Sequence, residues 1–445
     1  MKTDNIAAIS TGMVASGVAV IRISGPSPLQ VAEKMFKPLG KTKVCDFEPN
    51  KMYPGEIVAK GFNDFGMCVY FKAPKSFTGE DSVEFHSHGG LAITKGILNK
   101  IFSLGVRPAT NGEFTKRAFL NGKLSLSSAE GLIDMINSES ESGVKAGYYL
   151  YREKLLSAVN SIQDRLTDSL SQIDVDMDFP EEDIEQTATP KIKQDIEISI
   201  QKLDSLLSTY RTGRTLKDGV KVGIVGKPNT GKSSTLNALL NYDKAIVSSV
   251  AGTTRDIVEG SIDINGVRFN FSDTAGIRES DDEIEEIGVS LSKRVLNESD
   301  LIVFIADASD FDSSDEQILQ SVIDKNLLFV MNKTDKSDFK HERADIYISA
   351  LEKINVDGLR QAIYDKTALK GLDLSGDFLC EERHFDALSR AKTSLVSALN
   401  SIESVSLDIL AIDVKDAWDA LGEISGKTAT EEIINNIFSK FCVGK

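Results

Sequence analysis

The sequence predicts a multidomain protein that combines α+β and α/β architecture, and three observations lead to that prediction. Strand-like and helical segments are mixed from residue 1 to about 118, whereas strand signals stop between about 120 and 215. From Gly219 to about 370, short buried strands alternate with helices, which indicates a mainly parallel, doubly wound sheet. Helical periodicity returns after about 380 and runs to the end. We therefore predict an α/β domain inserted into a helical domain whose two halves are separated in sequence.

These changes in pattern also set the predicted domain boundaries. At 445 residues, the length suits about three domains. The prediction assigns 1–118 to an N-terminal α+β domain, 119–216 to the first part of an all-α helical domain, 217–372 to the inserted domain and 373–445 to the second helical part.

Individual elements follow from local patterns. Alternating or β-branched segments predict strands. Apolar residues spaced three to four apart predict amphipathic helices. The strands are predicted at 17–25, 66–73 and 82–88, and the helices at 91–105, 149–173, 191–212 and 429–441.

The composition is that of an ordinary globular protein, and it limits the classes of function. No apolar run reaches the roughly 18 residues of a membrane span, and we see no secretory signal. The four cysteines are far apart, so we expect neither disulfides nor a zinc knuckle, and a cytoplasmic location. The net charge of −16 argues against sequence-independent binding along nucleic acid, but leaves room for a local basic patch or an RNA-holding partner.

A phosphate loop is predicted where the inserted domain begins. The segment "GIVGKPNTGKSS" fits the pattern G-x-x-x-x-G-K-[ST], with a buried strand before it and a helix after it. Lys232 would reach the outer phosphates, and Ser233 would ligate magnesium. Backbone N–H groups would bind the remaining phosphate oxygens. The predicted contacts are Gly226, Lys227, Pro228, Asn229, Thr230, Gly231, Lys232, Ser233 and Ser234.

Three further motifs, "GTTRD", "DTAG" and "NKTD", follow in the order typical of a GTPase. In the last of them, Asp335 can accept two N–H donors from guanine, which favours GTP over ATP. Thr254 supplies a second magnesium-side hydroxyl, and Asp273 lies near the magnesium shell. The predicted contacts of these motifs and their flanks are Ser248, Ser249, Val250, Ala251, Gly252, Thr253, Thr254, Asp273, Thr274, Ala275, Gly276, Asn332, Lys333, Thr334, Asp335, Ser349, Ala350 and Leu351.

The residue after "DTAG" leaves the mechanism of hydrolysis open. Many small GTPases place a glutamine there to orient the attacking water, whereas this chain has Ile277. Hydrolysis therefore uses another residue or is slow. One alternative is that Asn229 lends its amide oxygen to a monovalent cation beside the phosphates. The other is a nearby carboxylate, and the candidates are Glu279, Asp281, Asp282, Glu283, Glu285 and Glu286.

A polar face is predicted on the strand at 82–88. Glu84, His86 and His88 alternate along it, so their side chains share one face. This set suits either a metal site or the polar wall of a pocket, and we expect the pocket wall.

Beyond these motifs, the whole chain resembles the MnmE (TrmE) family of tRNA-modification GTPases. The resemblance is carried by "GVAVIRISGP", "SFTGEDSVEFHSHGG", "NGEFTKRAFLNGKL", "DFPEEDI", "AIVSSVAGTTRD", "DTAGIRESDDEIEEIG" and the terminal "FCVGK". The chain departs from the family at residues 11–17, where a Pro-Gly-rich loop is common, and at His86-Ser87, where Gln-Gly is usual. Both departures bear on the shape of the pocket beside Glu84.

The resemblance implies a homodimer of three-part subunits. The parts are an N-terminal tetrahydrofolate-binding domain, a discontinuous helical domain and an inserted Ras-like G domain that pairs with its copy when potassium and GTP are present. With the flavoprotein MnmG, the family modifies C5 of wobble uridine in certain tRNAs, using a one-carbon folate such as 5-formyl-tetrahydrofolate. The resemblance maps the potassium ligands onto Asn229, Ser248, Val250 and Thr253, the catalytic residue onto Glu285, and the folate contacts onto Arg22, Glu84, Lys123 and Lys445.

The C-terminal tail, residues 442–445, is predicted to be docked rather than frayed. A stripe of apolar residues precedes it and predicts a packed helix that carries the tail to a fixed place. Cys442 either serves the modification chemistry or fills a small apolar gap. The stripe consists of Ile433, Ile434, Ile437, Phe438 and Phe441.

Two rival functions come from other classes. A GTP-dependent switch in ribosome assembly would carry an RNA-binding module, such as a KH-like loop or a basic tail, and the tail has neither. A folate-binding module with a vestigial GTPase is opposed by the intact Lys232, Thr254, Asp273 and Asp335.

Overall fold

The structure is a computed structural model that describes residues 4–178, 185–242, 260–273, 296–367 and 378–445. The chain forms two compact units, and each is assembled from separate segments. The first unit comprises Met1–Ile133, Leu150–Ile196 and Thr393–Lys445, and the second comprises Asp134–Tyr149 and Glu197–Lys392.

The first unit contains a seven-stranded sheet within its described residues, in the order β3-β4-β5-β6-β2-β1-β7. Neighbouring strands are antiparallel, except that β1 and β7 are parallel. The three strands predicted from the sequence are present as β2, β5 and β6. The strands are β1 (Ile6–Ile9), β2 (Ser16–Gly25), β3 (Phe36–Pro38), β4 (Met52–Val58), β5 (Asn63–Phe71), β6 (Asp81–Gly89) and β7 (Arg107–Pro108).

The α-helices of the described chain are distributed over both units. Their bounds are α1 (Pro28–Glu33), α2 (Leu91–Ser103), α3 (Glu113–Leu120), α4 (Leu126–Asn137), α5 (Glu141–Tyr151), α6 (Lys154–Asp178), α7 (Glu185–Ser208), α8 (Tyr210–Asp218), α9 (Lys232–Tyr242), α10 (Ser313–Val322), α11 (Val356–Asp365), α12 (Glu382–Ser401), α13 (Leu407–Ser425) and α14 (Glu431–Ser439). None of the helices described is both long and apolar enough to cross a membrane.

One face of the first sheet is covered, and the alternation of its strands explains why. Ile21 and Ile23 of β2, together with Phe85 of β6, are buried against Ile97 and Ile101 of helix α2. Because successive strand residues point to opposite faces, the intervening polar residues lie on the other face. The sheet therefore has one apolar and one polar side at β2 and β6.

The prediction of one continuous helix at 149–173 is wrong. Helix α5 ends at Tyr151 and α6 starts at Lys154, so the stretch is two helices. Between them, Glu153 has a φ of 59°, a left-handed conformation that no α-helix continues through. Its carboxylate accepts a hydrogen bond from the Ser128 hydroxyl at 3.1 Å. Periodicity was preserved across the break, which is why the sequence pattern did not reveal it.

Helices α6 and α13 pack along each other in the first unit. Polar contacts join them at their centre. The Gln163 amide donates to the Trp418 carbonyl at 2.9 Å, and the Trp418 indole donates to the Thr167 hydroxyl at 3.0 Å.

The second unit contains a six-stranded sheet in its described part, in the order β13-β12-β11-β8-β10-β9. All neighbours are parallel except the β9–β10 hairpin, so the predicted doubly wound sheet is confirmed. The hairpin turns at Asn265-Gly266, where both residues have positive φ angles. The strands are β8 (Val220–Val225), β9 (Gly260–Ile264), β10 (Val267–Asp273), β11 (Leu301–Asp307), β12 (Leu327–Asn332) and β13 (Ile346–Tyr347).

Helices cover both faces of this second sheet. Alternate residues of β11 point into two separate cores: Val303 belongs to the core that contains Leu239 of α9 and Leu359 of α11, and Phe304 to the one that contains Leu319 of α10. A fully buried parallel sheet of this kind leaves its ligand site at the carboxyl ends of the strands.

Candidate functional site

The phosphate loop follows β8 and ends where α9 begins, as the motif predicts. Its first glycine is required by close packing, because a Cβ on Gly226 would lie 2.2 Å from the Ile305 carbonyl oxygen. A Cβ on Gly231 would lie 2.2 Å from the Asn332 side-chain nitrogen. The loop therefore fits against β11 and the "NKTD" segment only with glycine at these two positions.

Lys232 lies over this loop. Its ammonium donates to the carbonyls of Gly226 at 3.0 Å and of Lys227 at 2.7 Å, and the residue is largely buried. Ser233 and Ser234 are exposed in the first turn of α9. A cationic side chain and hydroxyl groups thus converge at a helix N-terminus, an arrangement suited to binding phosphate.

The predicted base-reading loops meet the phosphate loop through Asn332. Its side-chain N–H donates to the Thr230 carbonyl at 2.9 Å, and its amide oxygen accepts from the Ala350 N–H at 3.0 Å. The Ser349 hydroxyl donates to an Asp335 carboxylate oxygen at 2.5 Å. These contacts bring together the phosphate loop, "NKTD" and the "SAL" segment at residues 349–351.

A second link was missed by the sequence reasoning. The Lys333 ammonium lies 2.6 Å from an Asp307 carboxylate oxygen and donates to the Asn229 carbonyl at 2.7 Å. Burial opposes the charge of Asp307, but hydrogen bonds from Lys333 and Ser309 outweigh it and lower its pKa. Asp307 ends a buried strand that is parallel to β8 and β12, and that position was the available signal.

The "GTTRD" and "DTAG" motifs lie largely outside the residues that the structure describes. Asp273 ends β10, and its backbone pairs with Ile224 of β8, directly before the phosphate loop. The rest of "DTAG" and all of "GTTRD" with its preceding residues lie outside the described residues, as does Glu285 with its neighbouring carboxylates. The site residues concerned are Ser248, Ser249, Val250, Ala251, Gly252, Thr253, Thr254, Thr274, Ala275 and Gly276.

A separate polar site lies on the face of the first sheet opposite helix α2. The antiparallel register sets Arg22 opposite Glu84, and the guanidinium Nε lies 2.8 Å from a carboxylate oxygen. The Arg22 guanidinium also stacks over the rings of Phe77 and Phe114, with its carbon 5.2 and 5.7 Å from their centres. Burial raises the pKa of Glu84, but a hydrogen bond from His86 and the charge of Arg22 outweigh it, and the net pKa is lowered.

The two histidines of this strand are each paired with a carboxylate. A ring nitrogen of His86 lies 3.4 Å from Glu84, and a ring nitrogen of His88 lies 2.6 Å from Asp64. Across the residues that the structure describes, no group of three or more His, Cys, Asp or Glu side chains could hold a metal ion. The alternating face is part of a polar wall that also includes Arg22.

The C-terminal helix is present, and its apolar stripe is buried as predicted. Ile437, Phe438 and Phe441 pack against Leu126 and Ala129 of α4 in one cluster. The Ile433 side chain and that of its neighbour Ile434 are partly buried beside them.

The tail that follows this helix is docked on the first unit. Val443 bridges to Asn111, and a Cβ on Gly444 would lie 2.1 Å from the Ile9 carbonyl oxygen. Ile9 pairs with Ile21, the residue before Arg22, so the tail reaches the sheet beside the Arg22–Glu84 pair. The tail, at the carboxyl end of the chain, thus packs against Ile9 near the amino end.

The remaining predicted folate residues are more exposed. The Lys123 ammonium donates to the Pro74 carbonyl at 3.1 Å. Lys445 is half-buried, and its N–H donates to the Cys442 carbonyl at 3.3 Å. Cys442 itself is an exposed free thiol, which does not match the interpretation as a buried gap filler.

Comparison with known proteins places this geometry in a family. The family described as "MnmE helical domain" matches residues 126–442, and "GTP-binding protein TrmE N-terminus" matches residues 5–123. A tRNA modification GTPase MnmE from Natranaerobius thermophilus is 38% identical over 464 residues, covering 100% of both chains. One from Clostridioides difficile is 38% identical over 456 residues, covering 99% of each.

One solved structure resembles part of the chain. A crystal structure of Era with MgGDPNP and a 16S ribosomal RNA segment is 32% identical, with a TM-score of 0.28, over 39% of this chain and 66% of that chain. The two family matches and the full-length relatives are decisive. The chain belongs to the MnmE (TrmE) family of tRNA-modification GTPases, and its reaction is the hydrolysis of GTP.

Proposed function

We propose that this chain is a potassium-dependent GTPase that acts in the cytoplasm as a homodimer with the flavoprotein MnmG. Together they modify C5 of wobble uridine in certain tRNAs with a carboxymethylaminomethyl or aminomethyl group, using a one-carbon unit from tetrahydrofolate. The observation that carries the proposal is the presence, in one chain, of assembled GTP-type loops and of an Arg22–Glu84 pair beside a docked tail.

GTP and magnesium are proposed to bind at the predicted motifs. Ser233 and Thr254 hold magnesium, and the exposed hydroxyl of Ser233 in the first turn of α9 suits that role. Guanine is read by Asp335, whose carboxylate already accepts the Ser349 hydroxyl and has further acceptor capacity.

Potassium binding is proposed at Asn229, with Ser248, Val250 and Thr253 as its other ligands. Asn229 has a left-handed backbone (φ of 65°), and its carbonyl is held by Lys333, which fixes the residue while its side chain stays exposed. A hard cation of this kind is bound by oxygen ligands such as carboxamides and carbonyls. When bound, it supplies positive charge beside the phosphates.

Folate binding is proposed on the polar face of the first sheet, with Arg22, Glu84, Lys123 and Lys445 as contacts. The Glu84 carboxylate is ionised and partly exposed, so it can accept paired N–H donors from an aminopyrimidine ring. Cys442 is the proposed thiol at the modification centre, and its exposure suits a reacting group.

The homodimer is proposed to form on this same unit. On the face opposite α2, Met52 of β4 and the Phe65 and Met67 side chains of β5 are exposed, and Pro54 pairs with Met67 in the register. Contiguous exposed apolar side chains on a sheet mark a protein–protein contact. The partner in this proposal is a second copy of the chain.

The experiment that tests the proposal compares GTP hydrolysis in matched potassium and sodium buffers. We expect the rate in potassium to be higher by on the order of a thousandfold, the scale of an arginine finger. Asn229→Ala should remove most of that difference. Equal rates of the unaltered protein in the two salts would refute potassium dependence.

The tRNA part of the proposal needs its own measurement. In a strain that lacks this protein, the wobble-uridine modification should be absent and should return when the chain is supplied. If the modification persists in that strain, the chain does not have this role. That result would not bear on its GTPase activity.

A further inference from the structure

One side chain of the phosphate loop, that of Lys227, contacts carboxylates of a neighbouring segment. The Lys227 ammonium lies 2.7 Å from a carboxylate oxygen of Asp315 and 3.0 Å from one of Asp312. It also donates to the Asp310 carbonyl at 3.4 Å. All three acceptors belong to the first turn of α10 or to the loop that leads into it.

The partner of Lys227 is unusual because it is an entirely buried carboxylate. The Asp315 side chain has no exposed surface, and one of its oxygens accepts both Lys227 and the Asp312 N–H, the latter at 3.0 Å. The other oxygen is buried without a hydrogen-bond partner among the described residues. Lys227 therefore supplies the cation that compensates this charge, and the carboxylate of the pair is shielded from water.

The backbone of the same residue lies in the phosphate loop. The Lys227 carbonyl accepts hydrogen bonds from the Lys232 ammonium at 2.7 Å and from the Thr230 hydroxyl at 3.0 Å. The side chain thus fixes the position of the carbonyl that holds Lys232. Movement of Lys227 would displace the group that Lys232 contacts and the neighbouring loop amides.

We propose that Lys227 is a positioning residue of the GTPase, which ties the phosphate loop to the first turn of α10 and thereby sets nucleotide affinity. A loop that already has its bound shape loses less conformational freedom when the phosphates enter. The contribution is the same for GTP and for GDP, because it acts on the loop and not on the reacting phosphate. Loss of the tether should raise KM and leave kcat unchanged, the result expected for uniform binding.

The test must separate positioning from stability. Lys227→Met alone leaves the buried Asp315 carboxylate without its cation, which destabilises the fold. The double variant Lys227→Met, Asp315→Asn removes both charges and keeps an acceptor for the Asp312 N–H. Lys227→Arg keeps the cation and serves as the conservative rescue.

A matched control exists elsewhere in the second unit. Lys366 and Asp345 form an ion pair at 2.8 Å, and Asp345 likewise accepts a backbone N–H, that of Phe329. Asp345 precedes β13, at the opposite end of the parallel strands from the phosphate loop. The double variant Lys366→Met, Asp345→Asn thus makes the same chemical change away from the nucleotide.

Affinity is measured by titrating the full-length chain with fluorescent GTP and GDP analogues, alongside thermal unfolding and steady-state GTP hydrolysis. We expect the Lys227 double variant to unfold within a few degrees of the unaltered protein, to bind both nucleotides about tenfold more weakly, and to keep its kcat. The control and Lys227→Arg should keep most of the affinity. Unchanged affinity in the double variant overturns the proposal, because the tether then has no part in nucleotide binding. A large loss of its thermal stability also overturns it, because the pair is then purely structural.

Discussion

The two sites of this chain are built in opposite ways. In the second unit, the phosphate loop and the "NKTD" segment are each contiguous in sequence, and parallel strands bring them together at one end of the sheet. In the first unit, the polar face depends on the antiparallel register that sets Arg22 opposite Glu84, and on a tail from the other end of the chain. The nucleotide site therefore rests on locally folded loops, while the sheet-face site depends on strand register and on a tail from the far end of the chain.

The largest expected effect separates the two sites by removing the tail. Deleting residues 442–445 removes the Val443 bridge and the Gly444 contact with Ile9, but leaves helix α14 packed. We expect potassium-dependent GTP hydrolysis to be kept, the affinity for 5-formyl-tetrahydrofolate to fall, and tRNA modification to be lost. Separate titrations of hydrolysis rate and folate affinity measure this.

A point variant distinguishes docking from chemistry in the tail. Cys442→Ser keeps the backbone contacts, so folate affinity should stay unchanged while modification falls if the thiol takes part. Unchanged folate affinity in the deletion variant would show that the tail is not part of the folate site, whatever happens to modification.

The second prediction concerns hydrolysis within the second unit. Glu285→Ala should keep nucleotide affinity and lose turnover by about a hundredfold or more, because a positioned carboxylate acts only as the transition state forms. Glu283→Ala and Glu286→Ala are the matched controls and should be nearly neutral. Steady-state kinetics in potassium measure all three, and similar losses in the three variants would contradict the assignment of Glu285.

Parts of the nucleotide site and of its sheet could be predicted from the sequence. Phosphate-loop and "NKTD" positions were predictable because each motif folds locally, between a buried strand and a helix or turn. The strands β11 and β12 were predictable from their apolar runs, and β8 from a short, mostly buried segment that Lys221 and Gly223 interrupt. The hairpin at Asn265-Gly266 carried a readable turn signal that was not used.

The remaining features could not be read from one sequence, for physical reasons. Lys227 meets Asp315, and Lys333 meets Asp307, only after the loop between β8 and α9 has packed against other strands. Glu153 breaks a helix whose apolar spacing continues on both sides. These positions are set by tertiary contacts, which local secondary-structure propensity does not predict.

The third prediction changes the base that is bound and is expected to have a smaller effect. Asp335→Asn should weaken GTP binding by about ten- to a hundredfold, the range for hydrogen bonds to a charged group. It should gain affinity for xanthosine triphosphate, since an amide N–H complements the carbonyl that replaces the exocyclic amine. Competition binding of the two nucleotides measures this, and an unchanged preference for GTP would mean that Asp335 does not read the base.

The smallest effect concerns stability, in a part of the second unit that neither site uses. Asp134 at the end of α4 lies 2.9 Å from the Lys217 ammonium, which is also paired with Glu381. Burial and then the charge of Glu381 raise the pKa of Asp134 to about 8, although Lys217 opposes this. Burial likewise raises the pKa of the adjacent Cys380 thiol to about 12, so that thiol stays neutral below that pH. The raised pKa favours the protonated form of Asp134 at neutral pH.

The sign of the pH dependence follows from the raised pKa of Asp134. The folded protein holds a proton that the unfolded chain releases near the ordinary pKa of 3.8, so this group's stabilising contribution is lost as the pH rises through about 8. We expect the unfolding temperature to fall by about 5 °C between pH 6 and pH 9. Asp134→Asn should remove most of that slope, because its amide does not titrate. Glu139→Gln, at an ion pair with Arg268 that is partly exposed, is the control and should keep the slope. A slope that survives in Asp134→Asn would assign the pH dependence to another group.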